Sequence, residues 1–75
     1  YLIDDYVRAE KLLKRAVELM PNDPIVNDHY GDILWKLNRK IQARYFWSMV
    51  LEMKDAEQDL KDVIQIKLID GPKNS

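Results

Sequence analysis

The chain has 75 residues, with 12 lysines and arginines against 13 aspartates and glutamates, one histidine and a formal net charge of −1. This length fits one small domain or a segment of a larger one, and a hydrophobic fraction of 47% separates it from disordered tails. The near-neutral balance supplies no global field for nucleic acid or anionic lipid, and the absence of cysteine excludes disulfides, thiolate nucleophiles and thiolate metal sites.

Apolar residues recur at helical spacing in four stretches separated by short breakers, which predicts an all-α chain. The first helix is expected over about Asp4 to Met20, with Val7, Ala9, Leu12, Leu13, Ala16, Val17 and Met20 on its apolar side. Pro21-Asn22-Asp23-Pro24 closes it and opens the next, because Asp23 can cap a helix whose first position suits Pro24. The second helix is then expected over about Pro24 to Leu37, closed by Asn38 in a left-handed conformation. A third helix is expected from about Arg39 to Lys54. Asp55 and Gln58 have the spacing of a capping box for a fourth, from about Ala56 to Asp70, ended by Gly71 and Pro72 with a frayed tail over 71–75. On that last helix Leu60, Val63, Ile64 and Leu68 are the expected buried stripe.

The chain also matches itself at a shift of 34 residues, with Ala9 onto Ala43, Leu12 onto Phe46, Leu13 onto Trp47, Ala16 onto Val50, Val17 onto Leu51 and Glu18 onto Glu52. Small and large apolar residues keep their places, as repeated packing requires. The unit from about Pro24 to Glu57 resembles a tetratricopeptide repeat, with Gly31, Ala43 and Trp47 at that family's small, small and aromatic positions. Its departures are Asn27, Tyr30, Leu34, Asn38, Val50 and Asp55, which stand where the family usually has other residues. The run from His29 to Trp47 is also similar to C-terminal repeats of bacterial members.

The resemblance implies an antiparallel helix-turn-helix fragment of an α-α superhelix. Residues 1–23 would be the second helix of a truncated repeat, 24–55 a complete repeat and 56–70 a capping helix. Ala9, Leu13, Ala16, Gly31, Ala43 and Trp47 would be its packing residues. Neither an initiator Met nor a signal-like segment opens the chain, and only Tyr1 to Ile3 stand where a partner helix would precede the first half-repeat. Upstream repeats in a longer protein are therefore expected, and the sequence leaves the compartment open.

The family implies protein-protein interaction as the function, with a partner protein or peptide on the concave helix face and no catalysis. The second helix turns Val26, Tyr30, Ile33, Leu34 and Leu37 one way and Ile25, Asp28, Asp32 and Trp35 the other. Asp28, Asp32, Trp35 and Lys36 are thus the candidates for holding a peptide with apolar and basic side chains. The two carboxylates have the wrong sign for the chaperone-carboxylate clamp found in one subclass of the family. The alternative function is structural, as a cap or homodimerisation segment without a ligand. Candidate sticky rows are Ile41, Tyr45 and Met49 on the third helix and Val63, Ile66 and Ile69 on the fourth, the latter nominated for homotypic self-association.

Other chemistries find little material. Lys36, Arg39, Lys40 and Arg44 lie near Trp35, Tyr45 and Trp47, the ingredients of RNA stacking, but interspersed acids dilute them and no nucleic-acid partner is expected. His29 is the sole histidine and nothing predicts its approach to Ser48, so no catalytic residue is assigned. Asp28, His29 and Asp32 lack a second histidine or a closed ligand set, and two glycines make no phosphate loop, so no metal or other cofactor is expected. Nothing approaches 18 consecutive apolar residues, so no membrane span is expected either.

Overall fold

The computed structural model describes residues 2–72, and these form four helices: α1 (Leu2–Leu19), α2 (Pro24–Lys36), α3 (Lys40–Leu51) and α4 (Gln58–Asp70). The fold is all-α. Short connections turn each helix back along its predecessor, so α1 packs on α2, α2 on α3 and α3 on α4. The described residues span 36 × 29 × 18 Å, and the shortest extent fits two packed helices of about 10 Å each.

The α1–α2 junction follows from its sequence. Asp23 is extended and accepts hydrogen bonds from the Ile25 and Val26 amides at 2.9 and 3.1 Å, with Pro24 at the first helical position. Asn27, fully buried, secures the same turn by donating to the Pro21 and Asp23 carbonyls at 3.0 and 2.8 Å. Asn38 closes α2 at φ 62°, and its amide donates to the Trp35 carbonyl at 2.9 Å.

The core joins α2 to α3. Leu34, Ala43, Trp47 and Val50 have at most 1% of their surface exposed, and Ile64 of α4 is likewise sealed. A side chain on Gly31 would drive its Cβ into Trp47 Nε1, so the absence of one sets the helix separation. Tyr30 meets Phe46 edge to face at 4.7 Å. Ala9, Leu13 and Ala16 of α1 are half-buried, and Leu13 and Val17 pack against this cluster.

Several expectations need correcting. Leu2 and Ile3 belong to α1 and not to a preceding helix, while Tyr1 and the tail residues 73–75 lie outside the described residues. α3 stops at Leu51 instead of Lys54, where the Glu52 and Met53 amides take the tighter carbonyls of Met49 and Val50 at 3.1 and 3.0 Å. The capping box does not form: α4 starts at Gln58 behind Glu57, which makes no side-chain cap, and Gln58 Nε2 donates forward to Asp62 Oδ1 at 2.9 Å. Val7, Leu12 and Met20 of the expected apolar side of α1 are exposed. Val63 is also exposed, and Lys67 turns inward with Leu60, Ile64 and Leu68.

Candidate functional site

The stripe of α2 expected to contact a peptide is partly covered by α4. Lys67 Nζ lies 2.8 Å from Asp28 Oδ1 and 2.8 Å from Asp32 Oδ1, joining α4 to α2 through one ammonium and two carboxylates. Asp28 and Asp32 are four residues apart and so share one face of α2, which sets both oxygens toward the same cation. The side chains of Lys67 and Asp28 are only 14% and 9% exposed, whereas Asp32 retains 36%. Burial alone lowers the Lys67 pKa, but hydrogen bonds to Asp28 and Asp32 and the field of both carboxylates outweigh it and raise it above the usual lysine value.

Two tryptophans complete this junction. Trp47 donates from Nε1 to the Asp28 carbonyl at 3.3 Å, and Lys67 Nζ sits 5.6 Å from the centre of a Trp47 ring. Trp35 stacks at a tilt against Trp47 with centroids 5.5 Å apart, and Lys40 Nζ lies 4.9 Å from the centre of the Trp35 ring. The end of α4 covers Trp35: a Cβ on Gly71 would lie 2.8 Å from Trp35 Cζ2, and Gly71 is buried at φ 78°. Arg44 donates to the Leu68 carbonyl, whose helical partner would be Pro72, a residue without an N–H.

Asp28, expected on the side of α2 turned away from the core, is buried at 6% exposure. Asp28 and Asp32 are brought together around Lys67, and Trp35 joins the same junction through Trp47. Lys36, at the last position of α2, is exposed. Of the expected packing residues, Gly31, Ala43 and Trp47 are fully joined. Val63, Ile66 and Ile69 are exposed on α4, as are Ile41 and Tyr45 on α3, with Met49 half-buried.

The basic residues noted for RNA stacking have separate intramolecular contacts. Arg39 Nε donates to Gln42 at 2.6 Å and Arg39 approaches Glu10 at 4.0 Å, Lys40 covers Trp35, Arg44 caps α4, and Trp47 is buried. His29 is exposed beside a recess of about 270 Å³ lined by Leu13, Asp32 and Ile33. Among the described residues no group of three His, Cys, Asp or Glu is arranged to hold a metal ion, and no helix is long and apolar enough to cross a membrane.

Lys67 and Asn27 were not foreseen as key residues. A lysine among apolar neighbours at helical spacing is the available signal for the first, and a helix-start asparagine four residues after Asp23 for the second. No family model, curated protein or solved structure matches the chain.

Proposed function

We propose that this chain is a scaffold segment for protein-protein interaction, of the tetratricopeptide type, in which α4 caps the preceding helical unit. The contact of Lys67 with Asp28 and Asp32 carries this reading, because it occupies the α2 face that a peptide would otherwise use. The repeat spacing supports it too: α4 begins and ends 34 residues after α2. In a helical array such a cap shields the apolar side of the last unit from water.

A second reading has its own support in the partial exposure of Asp32 and the adjoining recess. In it, a basic side chain of a partner peptide replaces Lys67 on the two carboxylates. Lys67→Ala separates the two. Under the capping reading this variant raises hydrogen exchange over residues 58–70 and captures a fluorescent lysine-rich, tryptophan-containing peptide no better than the parent chain. Capture improved by about tenfold or more, with salt sensitivity, would favour the peptide site. Unchanged exchange over α4 would overturn the capping role.

A further inference from the structure

The outer elements carry exposed apolar stripes with opposite charged rims. On α4, Ile66 and Ile69 are 57% and 81% exposed, next to the exposed Val63. Asp62 and Asp70 lie four residues before and after Ile66, with Asp59 a further turn back. Among the described residues the lysines of α4 do not offset these carboxylates, because Lys67 is drawn inward to Asp28 and Asp32 and Lys61 lies on the opposite flank of the helix.

On α1, Leu12 and Leu19 are 74% and 65% exposed and stand two turns apart on one side. Arg8 and Arg15 lie four residues before and three after Leu12, with Lys11 beside it. Arg15 also approaches Glu18 at 3.7 Å in a pair exposed enough to exchange partners freely. Asp4 and Asp5 sit further toward the start of the helix. The centre of this stripe is therefore apolar with a basic rim.

We propose that the α4 stripe of one copy binds the α1 stripe of a second copy, head to tail. Ile66 and its neighbours then cover Leu12 and Leu19 while Asp62 and Asp70 meet Arg8 and Arg15. Pairing α4 with α4 would set the acidic rims against each other, and pairing α1 with α1 would do the same to the arginines, so charge selects the unlike pair. Such a contact leaves one free stripe at each end of a dimer and permits further addition. The capping role uses the inner face of α4 and this contact its outer face, so each can fail without the other.

Sedimentation velocity on the 75-residue chain tests the contact across a concentration series. The average mass should rise with concentration at about 0.05 M salt, with association weakened about tenfold or more at about 0.5 M. Asp62→Lys with Asp70→Lys, and separately Arg8→Glu with Arg15→Glu, should each weaken self-association about tenfold or more, whereas an equimolar mixture of the two variants should recover it. These positions are exposed, and circular dichroism reports whether helicity is retained. Association unchanged by the arginine substitutions would overturn the proposal in favour of α4 pairing with itself. A monomer at every concentration in low salt, or a mixture no better associated than its components, would overturn it as well.

Discussion

Removing the Lys67 ammonium leaves the Asp28 carboxylate, whose side chain is 9% exposed, without its counter-charge. Breaking one partner of such a buried pair costs about 3 kcal/mol, and Asp32 adds less because it keeps contact with water. Lys67→Met should therefore lower stability by about 3 kcal/mol in urea titration at neutral pH, and a loss under about 1 kcal/mol would contradict the buried-pair reading. Alkali probes the same residue together with Tyr30. Burial, then a hydrogen bond to Glu10 at 2.9 Å, pushes the Tyr30 hydroxyl up to about 12, and the carboxylates raise Lys67. Both folded-state values lie above the unfolded ones, so the folded chain holds protons that the unfolded chain releases. Their contribution is complete below about pH 10 and declines as pH rises toward and through the folded values. Urea midpoints should fall between about pH 10 and 12, with a shallower fall in Tyr30→Phe. Identical slopes in the parent and Tyr30→Phe would remove tyrosine from the account.

At the level of elements, the α2–α3 pair is fixed by a missing side chain and a large one. Trp47 is sealed on all sides and its ring cannot retreat, so the Cβ in Gly31→Ala must separate the helices. A loss of about 2 kcal/mol or more is expected, against the gain in helix propensity of up to about 1 kcal/mol that alanine brings at an open site. Thermal denaturation decides the sign, and an unchanged or higher midpoint would mean that the helices yield easily. Helix starts offer the converse test. Asp23 caps α2 with two amide hydrogen bonds while Glu57 leaves α4 without a side-chain cap, although its backbone is already extended. Glu57→Ser should then stabilise α4 by about 1 kcal/mol, read as slower exchange over residues 58–70. No slowing would show that the α4 amides are satisfied in another way.

These elements also show which parts of the fold are readable from the chain. Asp23 acts through its side-chain cap and Pro24, Asn38 and Gly71 through their own backbone conformations, so the junctions around them are local and legible. The end of α3 has neither glycine nor proline, and hydrogen bonds in the turn after it decide where the helix stops. The Asp28–Lys67 contact spans 39 residues, and no periodicity within either helix encodes it. Helical spacing does place Asp28 and Asp32 on one face, which is half of the site, but the cation that fills it comes from another element.

Across the whole molecule, cohesion is unequal. Leu34, Ala43, Trp47 and Val50 of α2 and α3 are sealed, whereas α4 supplies only Ile64 as a fully buried side chain and is otherwise attached through the half-buried Leu60 and Leu68, Lys67, the Arg44 contact and Gly71. An element with few sealed apolar contacts opens at lower free energy than the core it covers. Under native conditions, amides of residues 58–70 should exchange through local opening, ahead of those in residues 27–34 and 43–50. Lys67→Met should lower the opening free energy of α4 toward zero while the α2–α3 core keeps most of its protection, because its packing survives the loss of the ammonium. If all four helices instead exchange with one shared free energy in the parent and fall together in the variant, α4 is part of a single cooperative unit. The distinction bears on the proposed role, since a cap that opens by itself can expose Asp28, Asp32 and Trp35 without unfolding the helices that carry them.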